Sequence, residues 1–517
     1  MGKFRVDNIR QQAFINVDYL EVIGTNTFEY SLYRLLEREG ILNAFIRQYK
    51  NDHSGRKAYP PAVLLRVIFF AYYRGITSSR VIASLCKTDL KFMALAGGEC
   101  PHFTTIANFV SAYPEAIADV FHKVILVCDE SGLIGKEHFA IDGCKLPSDA
   151  SKQWSGTHEE LEKKAKKMFE AAKKIIAKHQ ANDGKPVENP NREREQQSIV
   201  TLLGNAEKIL AFLSENEPRM GQGAYPKEVQ SNITDPDSAK MLTGYGAYQG
   251  FVAVTAADEK HQVIVNAEAW GMGQEQSTLV PTIEGIENNL GIDLSKSGTV
   301  VTADTGYSSE ANMKYVFEKG VDAVIPDNQF RKRDPLFVNS ETYNTHKEKR
   351  KKTRKDRAKK VKVFSAAEFK VNLKTNTCVC PAGKEMMYHG QHEDEVRGTY
   401  SRFRGKLKDC RNCKLSARCM KNKVTKRGRQ ILIRNEAKKR TSNIDLMKQK
   451  VDSEEGRLQY SKRMWTIEPV FGNIKSNKGL DRFSLRGKAK VTGQWLLYCL
   501  VHNMEKLWRY GPEMKAV

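Results

Sequence analysis

No stretch of the 517-residue chain is apolar for long enough to cross a bilayer. The best candidate, Leu64 to Tyr73, is short and holds Arg66, whereas a spanning helix needs about 20 predominantly apolar residues. The N-terminal stretch Met1-Gly2-Lys3-Phe4-Arg5-Val6-Asp7 lacks the apolar segment of a secretory leader, so secretion is not expected. Cysteine is sparse, at ten residues. In a long chain without a leader that points to reduced thiols or metal ligands, not a disulfide framework. Acid is in deficit: 61 Asp and Glu face 84 Lys and Arg, a formal charge of +23 and a pI of about 9.4. Such a surplus predicts a polyanionic partner, nucleic acid ahead of an anionic membrane.

What the chain does contain changes character along its length. Residues 1–135 read as helical. Phe28, Leu32, Leu35 and Leu36 recur at helical spacing, and so do Leu64, Val67, Ile68 and Ala71 after Pro60-Pro61. Gly75-Ile76-Thr77-Ser78-Ser79-Arg80 is a turn into a helix capped by Thr77 or Ser78, and a second helix start follows with Thr104 as cap. Two such helices suit a helix-turn-helix or a small structural bundle. Then His138-Phe139-Ala140-Ile141 reads as a strand ending in Asp142-Gly143. Densely charged helical segments over about 157–215, broken at Asn182-Asp183-Gly184-Lys185-Pro186, read as a hairpin insertion. Gly250–Thr255 and His261–Val265 form a second hairpin, of strands. Val300-Val301-Thr302-Ala303 is a β-branched run that delivers Asp304 to a strand end, where Thr305-Gly306 turns the chain. A helix from Ser308 to Lys319 and a strand over Val321–Pro326 follow. Strands interleaved with helices predict an α/β fold with a mixed sheet.

Residues 336–455 interrupt that sheet. Lys347 to Lys362 holds 11 Lys and Arg against two acids, a block suited to phosphate contacts. Cys378, Cys380, Cys410, Cys413 and Cys419 come next. Cys380, Cys410, Cys413 and Cys419 are the preferred candidate ligands of a structural Zn²⁺, with Cys378, His389 and His392 as competitors. Free thiols are the alternative. In the last segment Met464, Ile467, Phe471 and Ile474 fall on one helical stripe, with Glu468 and Lys475 on its margin. Pro469 predicts a kink or restart at Glu468. A final apolar helix, Val491 to Trp508, is expected to pack on the sheet.

Asp142 and Asp304 thus end strands, and Glu468 lies at the apolar edge of a helix. Three converging carboxylates could hold two hard divalent ions for an in-line displacement at phosphorus. A single Asp-Thr-Gly in a basic α/β chain argues against an aspartic protease, which needs two aspartates sharing a proton.

With Ala140-Ile141-Asp142-Gly143, Ala303-Asp304-Thr305-Gly306-Tyr307 and Glu468-Pro469-Val470-Phe471-Gly472-Asn473-Ile474-Lys475 followed by Arg482-Phe483 and Arg486-Gly487, the chain resembles the DDE transposases of bacterial insertion sequences. Tyr59-Pro60-Pro61, Gly75–Arg80 and Thr104-Thr105-Ile106 carry the likeness into the N-terminal part. Cys380-Pro381-Ala382-Gly383 with Cys410-x2-Cys413-x5-Cys419 is similar to a cysteine-bearing insertion in one branch of them.

The resemblance implies an RNase H-like core in two parts, 136–335 (with a helical insertion at about 157–235) and 456–517. A helical DNA-binding domain at 1–135 would precede it, and the basic, cysteine-rich insertion 336–455 would interrupt it. It implies Asp142, Asp304 and Glu468 as catalytic ligands of two Mg²⁺ (or Mn²⁺) ions. Lys475, Tyr460, Arg463, Arg80 and Arg486 are the implied DNA contacts, Tyr460 and Arg463 each lying one residue further from Glu468 than the family's spacing. Terminal inverted repeats and target as double-stranded DNA partners, a homodimer in the synaptic complex, and a cytoplasmic, nucleoid-associated location follow in the same way. A catalytically inactive or domesticated DNA-binding descendant is the alternative.

Overall fold

The computed structural model describes residues 16–49, 57–182, 191–221, 226–243, 246–338, 363–394, 398–420, 427–435 and 442–512. The chain divides into two compact units. One comprises Met1–Gln222, Pro226–Asn328 and Asn443–Val517; the other is chiefly Gln329–Ser442.

The first unit is built on a mixed sheet of six strands: β1 (His138–Pro147), β2 (Ala239–Thr243), β3 (Gly246–Asp258), β4 (Ile264–Trp270), β5 (Val300–Ala303) and β6 (Ala323–Val324). β1 sits in the middle, antiparallel to β3 and parallel to β5. β2 and β4 both pair antiparallel with the far edge of β3, and β6 lies parallel to β5. Every residue from Phe251 to Ala257 is buried, which a strand achieves only when both sheet faces are covered. The expected strand at Val321–Pro326 is shorter, Ala323–Val324. The hairpin turn is anchored by Asp258, whose buried carboxylate accepts the backbone N–H groups of Gly135, Lys136 and Lys260 at 2.9–3.0 Å.

Six of the N-terminal helices are α1 (Phe28–Leu36), α2 (Pro61–Tyr73), α3 (Ser79–Thr88), α4 (Leu90–Leu95), α5 (Phe103–Ala112) and α6 (Pro114–Glu130). Thr104 lies inside α5, whose cap is His102; its ring Nδ1 accepts the Thr104 N–H at 3.4 Å. The helical insertion consists of α7 (His158–Asn182) and α8 (Arg192–Glu215), closed by Leu161, Ala165, Ala206, Ile209 and Phe212; most of the breaker Asn182–Pro186 lies outside the described residues. α9 (Leu279–Leu290), α10 (Glu310–Lys319), α11 (Asn443–Asp452) and α12 (Glu454–Gly472) complete the surround of the sheet.

The last helix, α13 (Lys488–Tyr510), is buried almost all round from Trp495 to Glu505, the signature of a core helix. On one side Trp495 Nε1 donates to the Val254 carbonyl at 3.3 Å, and Asn503 bonds both backbone groups of Ile264 at 2.8 Å. On the other, Tyr498 stacks on Tyr72 at 4.4 Å and Trp508 meets Phe28 edge-on at 6.3 Å. The N-terminal helices therefore share their core with the sheet unit. A close backbone approach extends that union. Gly75 has φ +72°, and a Cβ there would meet the Asn477 carbonyl oxygen at 3.0 Å. Only glycine takes that conformation without strain.

The second unit contains a five-stranded antiparallel sheet, β7 (Lys370–Asn372), β8 (Thr377–Val379), β9 (Glu385–Asp394), β10 (Gly398–Arg404) and β11 (Gln430–Arg434), each paired with the next in chain order. Among the described residues no helix is long and apolar enough to cross a membrane.

Candidate active site

The parallel pairing of β1 with β5 decides where two acids stand. Register runs His138 with Val300 through Ile141 with Ala303, so the next residues, Asp142 and Asp304, stand side by side. Adjacent strands are about 4.8 Å apart. Asp142 Oδ1 accepts the Gly143 N–H at 2.8 Å, and Asp304 Oδ1 accepts the Gly306 N–H at 2.5 Å. Asp304 sits at the carboxyl end of β5, the place where open α/β sheets bind ligands. β1, expected to end at Asp142-Gly143, instead runs on to Pro147 because β3 continues to pair with it, so Asp142 is carried within the strand opposite Thr255.

α12 lies across β1 and β5. Its buried side is Arg463, Thr466, Ile467 and Val470, continued by Ile474. Met464, expected on that stripe, is instead 50% exposed. The helix does not stop at Glu468. It runs through Pro469 to Gly472 and loosens into a π-helical turn at Asn473–Asn477. Proline removes the N–H that would have bonded the carbonyl four residues earlier. That carbonyl belongs to Trp465, and Gln262 Nε2 donates to it at 2.9 Å. The helix therefore presents Arg463, Glu468 and Lys475 from one continuous element. Arg463 Nη2 reaches Asp142 Oδ2 at 2.6 Å with its side chain only 8% exposed. Burial works against its charge, and Asp142, followed by Tyr460, Asp304 and Glu468, more than restores it. Glu468 and Lys475 are exposed, and the Lys475 ammonium bonds the Cys144 thiol beside Asp142.

A fourth acid, absent from the sequence reading, joins this group. Glu275 enters on the loop after β4, and its Oε1 lies 3.5 Å from Lys145 Nζ. A Cβ at Gly143 would come within 3.3 Å of its Cδ, and one at Gly306 within 3.1 Å of its Oε2. The glycines after the two aspartates thus leave the space that Glu275 fills. Its only sequence signal is an acid in a loop following a strand, too common to single out.

Crowding and burial set the electrostatics. Burial pushes the Asp142 carboxyl up to about 6, against the opposing pull of Arg463 and the Gly143 N–H, with Asp304 and Glu275 adding repulsion. Burial also raises Glu275, partly offset by Lys145. A pocket that accumulates carboxylates and resists ionising them gains from a hard cation. Among the described residues no three His, Cys, Asp or Glu side chains already stand in metal-ligand positions. The donor set is nonetheless all carboxylate, the type that suits Mg²⁺ or Mn²⁺, and the Arg463 guanidinium now supplies the positive charge.

Comparison with protein families decides the identity. Residues 231–379 match one model described as Transposase DDE domain, and residues 379–508 match another with the same description. Residues 17–112 match the Transposase domain (DUF772). The chain is a DDE transposase. No curated protein and no solved structure matches it. The matched segments take in Asp304 and Glu468, and the sheet order around β1 is that of the RNase H-like fold which the DDE domain implies.

Of the transposase's remaining site candidates, Arg486 and Arg80 make contacts of their own. Arg486 Nε donates to the Asp149 carbonyl at 2.8 Å and its Nη2 lies 3.1 Å from Asp149 Oδ2, leaving the side chain half exposed. Arg80, exposed on α3, lies 5.0 Å from the centre of the Phe103 ring at the start of α5. α4 falls between those two helices, so they are not consecutive as a simple helix-turn-helix would have them. The basic block Lys347–Lys362 lies outside the described residues. Cys380, Cys410, Cys413 and Cys419 belong to the second unit.

Proposed function

We propose that this transposase binds the terminal inverted repeats of an insertion sequence and carries out metal-dependent cleavage and strand transfer there, as a homodimer that pairs two ends. The observation that carries this reading is the β1–β5 register, which sets Asp142 beside Asp304 beneath the helix bearing Glu468. Asp142, Asp304 and Glu468 would hold two Mg²⁺ or Mn²⁺ ions. Such ions activate the attacking oxygen and stabilise the leaving one in an in-line displacement. Burial holds the Asp142 carboxyl up at about 6, so a cation held there would favour its ionised form. Arg463, paired with Asp142, has the planar fork that would match a phosphate beside it. Lys475, exposed beside the strand end, takes the next phosphate, with Tyr460 on the same helix. Arg80 and Arg486 extend the contact surface along the duplex. Catalysis on this reading is positioning and charge neutralisation, without a covalent enzyme intermediate.

The test is a duplex bearing the inverted repeats that flank the gene, against the same duplex with scrambled repeats. With Mg²⁺ the repeat-bearing duplex is expected to be nicked at the repeat boundary to leave a 3′-OH, and chelation stops it. Cleavage that ignores the repeats, or persists in chelator, overturns the proposal.

Glu275 takes a supporting part: it packs against both aspartate turns and orients them. Glu275→Gln is expected to lower cleavage roughly 10–100-fold and to raise the Mg²⁺ concentration needed for half-maximal rate, as loss of an outer-shell partner does. An unchanged Mg²⁺ dependence would remove it from the site.

A further inference from the structure

Among its described residues the second unit has a small core. The buried cluster is Phe364, Phe369, Cys378, Met386, Phe403 and Ile431, on one side of a sheet with two open edges. A core this small is the kind that a metal or another cross-link can reinforce.

The structure separates the five cysteines there. Cys378 is fully buried, and its thiol donates to Met386 Sδ at 3.6 Å. His389 and His392 are exposed on β9. Cys380, Cys410, Cys413 and Cys419 together line one cavity of about 40 Å³. By such a measure a single water needs about 10–15 Å³, so the cavity has room for an ion. The thiol of Cys419 is influenced by all three of the others. Local backbone prepares each pair. Cys380 opens a tight turn in which the Gly383 N–H returns to its carbonyl at 2.8 Å and Gly383 has φ +74°. Cys410 presses against two glycines: a Cβ at Gly405 would lie 2.9 Å from its Sγ, and one at Gly428 3.1 Å. Lys384, Lys406 and Arg429 also line the cavity, against the acids Glu385 and Asp409, so the lining outside the thiols is basic by one charge.

We infer that Cys380, Cys410, Cys413 and Cys419 form a tetrahedral site for one structural Zn²⁺ that staples this unit. Four thiols lose four protons and give a zinc tetrathiolate of net charge −2, with no change of oxidation state. The thiols do not yet stand in ligand positions. Closing around an ion at sulfur–zinc distances of about 2.3 Å draws them into the cavity they already line. The turn at Cys380 and the short helix at Leu407–Arg411 are thereby tied together across the sheet end. The site lies within the second unit, and metal binding there acts on folding.

The test uses the full chain with Asp304→Asn, so that the catalytic carboxylates do not add to the metal count. Elemental analysis of protein purified without chelator is expected to give one zinc per chain. Cys410→Ser or Cys413→Ser should lower that to below half, while Cys378→Ser leaves it unchanged. Because the serine variants could fail to fold, the unsubstituted thiols are also stripped and titrated with Co²⁺ alone. Thiolate-to-cobalt charge-transfer absorption and tetrahedral d–d bands should saturate at one equivalent. Zinc content indifferent to Cys410 and Cys413, or cobalt bound without thiolate absorption, overturns the inference.

Discussion

Asp304→Asn is expected to lower Mg²⁺-dependent nicking of an end-bearing duplex by at least roughly a thousandfold, while binding of the uncut repeat stays within about threefold. The size follows from position. Loss of an outer-shell partner already costs ~10–100-fold, and Asp304 is one of the two acids placed side by side by the sheet register. Asparagine keeps the shape and the acceptor for the Gly306 N–H, so the turn should survive and only the charge is removed. Separation of the two readouts is the decisive point: nicking measured by denaturing gel, binding by gel shift in Ca²⁺. Equal loss of both would mean that the substitution unfolds the site, and retained nicking would remove Asp304 from the reaction.

The second large effect concerns acid. His502 is completely buried and neutral. Its Nε2–H donates to the Gln262 carbonyl at 2.8 Å, while Nδ1 accepts from Asn473 Nδ2 at 3.0 Å. A proton on Nδ1 would break the second bond. Burial pulls its pKa down to about 3, with Lys506 adding repulsion. His138, 1% exposed and 3.0 Å from Thr302 Oγ1, is pulled down to about 4 by burial. Both histidines have folded pKa values below the unfolded 6.5, so their stabilising contribution is complete above pH 6.5 and is lost as pH falls. At pH 5 each contributes a loss of about 2 kcal/mol. Asp142 works the other way. Its folded pKa of about 6 lies above the unfolded value, so protonation returns roughly 1–1.5 kcal/mol over the same interval. The net expectation is a fall of a few kcal/mol between pH 7.5 and 5, read from urea midpoints. His502→Gln should flatten that fall by about 2 kcal/mol. Parallel pH profiles for the two proteins would show that His502 is not the source.

These effects reach the active site through one buried network. Lys478, just past the π-turn, is 1% exposed and lies 2.7 Å from Glu505 of α13, and Asn473 donates to the same carboxylate at 2.9 Å. The π-helical turn that carries Lys475 is thus held by the core helix that also contacts β3 and the N-terminal helices. Breaking a buried pair of this kind typically costs ~3–5 kcal/mol, so the geometry after Glu468 is fastened from within.

Local patterns in the sequence determined the strand end at Asp304, the strand that carries Asp142 (though not its continuation to Pro147), the charged helices α7 and α8, and the apolar α13. Each is a matter of periodicity or of an acid followed by a glycine, which neighbouring residues dictate. Three features belonged to tertiary structure alone. Glu275 joins the acids because β4 runs back beside β3 and drops its following loop between two glycines. Arg463 reaches Asp142 because α12 packs across β1 and β5, and the same helix carries on to Lys475 where local rules predict a break because Gln262 caps the carbonyl that Pro469 leaves free. The N-terminal helices merge with the sheet unit because α13 is buried on nearly every side and must be covered from both. In each case the deciding contact joins residues far apart in the chain, and spacing along the sequence carries no record of it.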